Sequence, residues 1–158
     1  MSLTKEQYMQ LGIDKARFTM SRDIGGPFGA VIVKDGSVIT VASNKVLATN
    51  DPTAHAEITA IREACNILGT YDLSGCELYA TGFPCPMCMG AIIWANIKKV
   101  YVSGMPVDAE KIGFRDDYIY NFIEDGCTDK NVLDIEKLGT EPARMLYAEY
   151  ADRHKVIY

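Results

Sequence analysis

The chain has 158 residues, of which 48% are hydrophobic and 23% are charged, a balance typical of a globular protein that buries a substantial core. Its 16 basic and 21 acidic residues give a net charge of −5, which disfavours nucleic acid and anionic membranes as main partners. Five cysteines, and the lack of any apolar stretch suited to a signal peptide or a membrane span, predict a protein of the reducing cytoplasm.

Over the first two thirds of the chain, helical spacing of apolar residues alternates with β-forming runs. Helices are predicted at residues 4–21, 54–69 and 84–96. Strands are predicted at residues 30–33, 37–42, 76–81 and 98–104. The turn sequence KDG joins the first two strands into a hairpin. Short joints around the third helix indicate a βαβ unit, whose two strands would run parallel.

The pattern is weaker after residue 105. The sequence DDYIYNFIED predicts a short helix, NVLDIEKL at residues 131–138 predicts a strand, and residues 140–155 predict a C-terminal helix. Trp94 is expected to pack in the core from the third helix. Because no repeat or low-complexity linker interrupts the chain, we expect residues 1–158 to form one α/β domain.

The stretch PCPMC places Cys85 and Cys88 at the start of the third predicted helix. Alone, such a pair fits a redox site, a zinc site or plain packing. His55 and Glu57 change this balance, because they lie at the start of the preceding helix, after a neighbouring strand. Imidazole and two thiolates at neighbouring strand ends can converge on zinc.

No fourth protein ligand is apparent, which is typical of a catalytic zinc site that keeps one position for water. Zn²⁺ with two thiolates and a neutral imidazole carries no net charge, which leaves the metal able to stabilise hydroxide near neutral pH. Glu57, two residues after His55, is then placed to carry protons.

The combination of HAE at residues 55–57 with PCPMC at residues 84–88 resembles the zinc-dependent nucleoside and base deaminases. This resemblance covers most of the chain. It implies a cytidine-deaminase-like fold, a three-layer α/β/α domain with a mixed five-stranded sheet. It also implies zinc as cofactor, held by His55, Cys85 and Cys88, with Glu57 as the proton shuttle.

Histidine before the A-E pair, and the stretches IGGPFGAVIVKDG, NDPTAHAE, CPMCMGAIIWA and GFRDDYIY, resemble the bacterial guanine deaminases. The resemblance implies hydrolytic deamination of guanine to xanthine and ammonia in purine metabolism. It assigns substrate contacts to Phe28, Asn44, Ala56 and Tyr158, and a second proton-shuttling role to Asp116. It further implies a homodimer that exchanges a C-terminal segment, about residues 140–158, so that Tyr158 serves the partner's site.

Several alternatives remain open at the level of the residues. Phe28 could be a core residue, Asn44 a turn former and Asp116 a helix cap. A tRNA adenosine deaminase would share the histidine and both cysteines, although basic and acidic residues alternate in the C-terminal helix where an RNA-binding face would be basic. Cytosine, guanosine or ammeline as substrate, and a zinc-stabilised module without turnover, are further alternatives.

Overall fold

A computed structural model describes residues 2–158 of the chain. The helices are α1 (Lys5–Ser21), α2 (Val46–Thr49), α3 (Ala56–Leu68), α4 (Pro86–Trp94), α5 (Pro106–Lys111), α6 (Asp117–Glu124) and α7 (Thr140–Asp152), and the strands are β1 (Gly29–Lys34), β2 (Ser37–Ser43), β3 (Cys76–Gly82) and β4 (Lys99–Gly104). The chain up to Asp116 forms one compact unit and Asp117–Tyr158 forms a second. A single domain over residues 1–158 therefore stays a prediction.

The four strands form one sheet in the order β2-β1-β3-β4. Strand β1 is antiparallel to both β2 and β3, whereas β3 and β4 are parallel. The hairpin and the βαβ unit expected from the sequence are therefore confirmed. The expectation of a five-stranded sheet is wrong, because residues 131–138, which were expected to form a strand, contain none.

Local hydrogen bonds explain why residues 131–138 do not become a strand. The backbone N–H groups of Val132 and Leu133 donate to the carbonyl of Asp129, and the N–H of Asn131 donates to the Asp129 carboxylate at 2.9 Å. A side chain that closes a turn in this way competes with strand pairing for the same backbone groups. Apolar and polar residues do alternate in this segment, but alternation alone does not provide a neighbouring strand with which to pair.

Helices cover both faces of the sheet in the unit that ends at Asp116. Alternate residues of a strand point to opposite faces. Accordingly, Val31 packs in a cluster with Tyr8 of α1 and Tyr79 of β3, whereas Ile32 packs in the main core with Ala60 of α3. The three-layer arrangement and the cytidine-deaminase-like α/β fold are confirmed, with four strands rather than five.

A close backbone contact sets where the chain enters the sheet. A Cβ atom built at Gly29, the first residue of β1, would lie 2.1 Å from the carbonyl oxygen of Gly12 in α1. No side chain fits between these two backbones, so glycine is needed for α1 to approach β1. Phe28 directly precedes Gly29, so it is the last residue of the connection from α1 to β1.

Helix α4 corrects the expectation for Trp94, whose side chain is 70% exposed and does not pack in the core. Its neighbour Ile93 is exposed as well, while Cys88 and Ile92 form the buried side of the helix. A helix that is apolar on all sides carries no periodic signal, so the sequence did not distinguish its faces. Helices α2 and α5 were not predicted. Among residues 2–158, no helix is both long enough and apolar enough to cross a membrane.

Candidate metal centre

Two of the predicted metal ligands occupy equivalent positions in successive helices. His55 is the N-cap of α3 and Cys85 is the N-cap of α4, and neither side chain caps its own helix. Cys88 lies one turn further along α4 and is fully buried. The positive end of the α4 dipole favours thiolate at Cys85, which lies at the N-cap.

The three donor atoms are already spaced as a tetrahedral zinc ion requires. His55 Nδ1 lies 3.5 Å from Cys85 Sγ and 3.6 Å from Cys88 Sγ. All three ligand atoms lie within 4.8 Å of one another. Zinc bond lengths and a tetrahedral angle place N and S ligand atoms about 3.6 Å apart. The donor set therefore fits zinc, and three protein ligands leave a fourth position for water.

A short structured loop delivers His55 to its position. The carboxylate of Asp51 accepts hydrogen bonds from the backbone N–H of Thr53 at 2.8 Å and from its hydroxyl at 2.6 Å. The backbone N–H of Lys45 donates to the carbonyl of Ala54 at 2.9 Å. Together these bonds tie the residues before α3 to the end of β2, so His55 begins its helix from a fixed turn.

Glu57 lies beside the metal ligands in the first turn of α3. It is only 8% exposed. Burial is the largest influence on this carboxyl and raises its pKa, while the neighbouring Cys88 thiol and the Glu57 backbone N–H act in the opposite direction. A raised pKa makes this buried carboxyl easier to protonate than an exposed one, which suits a proton shuttle.

The two cysteines share hydrogen bonds with each other and with His55. The Cys88 thiol donates to Cys85, and this bond, aided by His55 and by the Cys88 backbone N–H, lowers the pKa of Cys85 despite its burial. The same bond raises the pKa of Cys88, which keeps its proton. The bond to Cys85 also raises the pKa of His55. Zinc replaces these protons when it binds, since its ligands are thiolates and neutral imidazole.

Asn44 and Phe28 meet at the end of the β1–β2 hairpin. The backbone N–H of Asn44 donates to the carbonyl of Phe28 at 3.0 Å. Asn44 is buried, and its side-chain oxygen accepts from the N–H of Val46 at 3.0 Å. This bond assigns the amide orientation, because an N–H can only face the oxygen, and it leaves the amide NH₂ as the group that Asn44 offers to a ligand. The backbone N–H of Lys45 is hydrogen-bonded to Ala54. Asn44 directly precedes Lys45 and His55 directly follows Ala54, so the two residues flank this hydrogen-bonded pair.

Three further residues were predicted to contact the substrate or to move protons: Ala56, Asp116 and Tyr158. Ala56 is fully buried in the core at the start of α3. Asp116 is half-buried in the connection that follows α5, two residues after Phe114. Tyr158, in the second unit, is 76% exposed. The roles of all three in substrate contact or proton transfer stay predictions.

One contact near the site was not anticipated. The ring of Phe114 packs edge-on against the ring of Phe28, with centroids 5.1 Å apart and planes at 88°. The two residues are distant in sequence, and the only available signal was the presence of Phe114 in the stretch GFRDDYIY. Such a contact between separate loops has no local sequence pattern.

Comparison with known proteins agrees with this geometry. The family model described as the cytidine and deoxycytidylate deaminase zinc-binding region matches residues 2–104. Guanine deaminase of Bacillus subtilis is 45% identical over 130 residues, which cover 82% of this chain and 83% of that protein. The X-ray structure of the Bacillus subtilis guanine deaminase superposes with a TM-score of 0.91 at 41% identity, over 99% of each chain. A tRNA-specific adenosine deaminase of Aquifex aeolicus is 44% identical over 101 residues, covering 64% of this chain and 66% of that protein.

Proposed function

We propose that this chain, which belongs to the cytidine and deoxycytidylate deaminase family, is a zinc-dependent hydrolase that converts guanine and water to xanthine and ammonia. The observation that carries the chemistry is the spacing of His55 Nδ1 from the two cysteine sulfurs, with Glu57 buried in the first turn of the helix that His55 begins. A zinc site with three protein ligands and a neighbouring buried carboxylate is an arrangement for hydrolysis.

Guanine is favoured as substrate by how far the similarity extends. The sequence match to the Aquifex aeolicus tRNA-specific adenosine deaminase covers 64% of this chain, whereas the sequence match to the Bacillus subtilis guanine deaminase covers 82% of it. The acidic balance of the chain also offers little attraction to tRNA phosphates. A role in purine salvage or catabolism follows from this substrate.

In the proposed mechanism, His55, Cys85 and Cys88 would hold zinc, which when bound acidifies a water molecule and stabilises negative charge that develops on oxygen. Glu57 accepts a proton from the water that attacks C2 of guanine. Glu57 passes this proton to the adjacent ring nitrogen, then takes the second proton from the new C2 hydroxyl and, assisted by Asp116, delivers it to the departing amine. The new C2–O bond replaces the C2–N bond, and ammonia leaves.

The substrate contacts are likewise proposed. Phe28 presents a ring face for stacking on the purine, and the amide NH₂ of Asn44 donates a hydrogen bond to an acceptor on its edge. Ala56 lies next to His55 and lines the site through its backbone, while Tyr158 closes it. The free state of Cys65, Cys76, Cys85, Cys88 and Cys127 supports the cytoplasm as the compartment.

We also propose a homodimer in which the C-terminal segment, about residues 140–158, is exchanged between subunits. Its apolar side chains support this assembly, because Met145, Tyr147 and Ile157 are all exposed within a single chain. In this arrangement, Tyr158 of one subunit would close the site of the other.

Ammonia release from a panel of substrates tests the function. Purified protein is incubated with guanine, guanosine, cytosine, ammeline, adenine and a tRNA, before and after removal and replacement of zinc. We expect ammonia from guanine, its loss on metal removal and its return with zinc. Faster release from tRNA or from another base would change the substrate assignment, and no release from any member would favour a non-enzymatic zinc module.

A further inference from the structure

The ring of Phe28 lies in a slot whose walls are two glycines. A Cβ atom built at Gly26 would lie 3.1 Å from Phe28 Cδ2, and one built at Gly82 would lie 3.3 Å from Phe28 Cδ1. Neither glycine has a positive φ, so their backbone conformation is open to other residues. Glycine matters at these two positions because it has no side chain, which leaves just enough space for an aromatic ring between them.

Phe114 closes a third side of this slot. Its ring meets the Phe28 ring edge-on at 5.1 Å, the preferred geometry for two aromatic rings. Gly26 supports both rings, because a Cβ there would also lie 3.2 Å from Phe114 Cζ. Phe114 is nevertheless 48% exposed. A residue that is half in solvent contributes little to the core, and its ring contact is with Phe28.

The fourth side of the slot is open. A cavity of about 340 Å³ borders the Phe28 ring, and its other lining residues include Met20, Met105 and Ile112. This empty space gives the ring room to turn if an adjoining wall is removed. Phe28 is partly buried against the main core, and the contacts with Gly26, Gly82 and Phe114 set the orientation of its ring on the sides that the core does not cover.

We propose that Phe114 is a positioning residue for substrate binding: its edge-on contact holds the Phe28 ring in the orientation that stacks on the base. This inference rests on the proposed function, in which Phe28 contacts the purine. Phe114 acts through Phe28 and needs no contact with the substrate itself. Gly82 and Gly26 belong to the same device, because a methyl group at either position would push the ring out of its slot.

A double-mutant cycle tests this role. Phe114→Leu keeps an apolar side chain but removes the aromatic edge, and we expect the KM for guanine to rise roughly threefold to tenfold with kcat within about twofold. Phe28→Leu should raise KM as well, and adding Phe114→Leu to it should have little further effect. Gly82→Ala should also raise KM in the wild-type background and much less in the Phe28→Leu background.

Phe18→Leu is the matched control, since Phe18 is 45% exposed on α1 and belongs to neither the slot nor the site. Its KM should be unchanged, and zinc content and Tm should match the wild type in all variants. The positioning role would be overturned if Phe114→Leu raised KM as much in the Phe28→Leu background as in the wild type. It would also be overturned if Phe114→Leu left the KM of the wild type unchanged.

The same cycle is read as the Kd for guanine by isothermal titration in the Glu57→Gln background, in which turnover is expected to be too slow to interfere. Failure of the wild type to release ammonia from guanine would reject the proposed function, while the cycle in Kd would still support or overturn the coupling of the two rings. If guanine does not bind at all, the positioning role is overturned together with the function.

Discussion

Glu57 is the residue on which the chemistry depends most. The site has to move protons between water, a ring nitrogen and a leaving amine, and Glu57 is a buried carboxyl whose pKa is influenced by a predicted zinc ligand, Cys88. Burial raises its pKa, so the carboxyl holds a proton more readily and can deliver it to the next acceptor. Its position in the first turn of α3, two residues after His55, follows directly from the helix geometry.

We predict that Glu57→Gln keeps bound zinc but lowers kcat for guanine by at least about 100-fold, because an amide cannot take a proton from water. Zinc per chain by plasma emission and initial rates of xanthine formation measure the two effects. Glu63→Gln is the control, since Glu63 lies on the same helix but is bonded to Thr40 and Lys45. It should retain nearly full activity, and a Glu57→Gln variant with a near-normal rate would exclude Glu57 as the shuttle.

Sequence patterns were most informative for residues that lie at the predicted ends of helices and strands. His55, Cys85 and Cys88 were predicted to converge because each lies at a helix start that follows a strand, and the observed N–S spacings bear out that convergence. The Phe28–Phe114 contact could not be predicted in this way. Two rings from separate loops meet only when the whole fold brings them together, and nothing local specifies the meeting.

At the scale of elements, regular structure was predicted where the pattern was long and bounded by turn or cap signals. The capping box of Thr4 and Gln7 is present at the start of α1. Helix α5 was missed because six residues are too few to show a helical period, although Pro106 and the Asp108 carboxylate mark its first turn. The expected strand at residues 131–138 failed because Asp129 closes a local turn there.

The loop before α3 predicts a dependence of stability on pH. Hydrogen bonds from the hydroxyl and backbone of Thr53 lower the pKa of Asp51 from its ordinary value of 3.8. A carboxylate with a lowered folded-state pKa stabilises the fold at pH values above its unfolded pKa, and this contribution is lost as the pH falls through the folded-state pKa.

Asp51→Asn should therefore lower Tm slightly at pH 7, because Asp51 is partly exposed and solvent screens its charge. The difference from the wild type should shrink as the pH falls below about 4, where the Asp51 carboxylate of the wild type becomes protonated. Thermal melts followed by circular dichroism from pH 7 to pH 3 measure this, with Asp14→Asn on α1 as the control. A Tm gap that widens in acid would contradict the assigned role of Asp51.

The α1–β1 approach gives a second prediction at this scale. Gly29→Ala should destabilise the protein by about 1–3 kcal/mol, because the new Cβ would meet the Gly12 carbonyl oxygen at 2.1 Å and force the two elements apart. Gly90→Ala in α4 has open space around its Cβ and should be neutral or stabilising by about 0.5–1 kcal/mol. Urea unfolding of both variants tests the pair, and equal stability would show that α1 can shift without cost.

At the scale of the whole molecule, the chain combines a metal-binding unit that ends at Asp116 with a C-terminal unit of mostly exposed residues. Many of the exposed side chains in α7 and the tail are large and apolar: Met145, Leu146, Tyr147, Tyr150, Val156, Ile157 and Tyr158. A surface of this kind on a protein with net charge −5 is typical of an interface with another protein surface.

We predict that a chain shortened to end at Leu146 is monomeric, whereas the full chain has twice the mass of one 158-residue subunit. The removed segment carries apolar side chains that a dimer would bury. Size-exclusion chromatography with light scattering measures both masses. A full chain that is monomeric, or a shortened chain that remains dimeric, would show that this segment does not hold the assembly together.

The most direct test of the whole account is the fate of guanine in ¹⁸O-labelled water. If His55, Cys85, Cys88 and Glu57 form a hydrolytic site, zinc-loaded protein should yield xanthine that carries one ¹⁸O atom, with one ammonia for each xanthine, and Glu57→Gln should yield almost none. Mass spectrometry of the product measures the label. Absence of xanthine, or xanthine formed at the same rate by Glu57→Gln, would contradict the central claim.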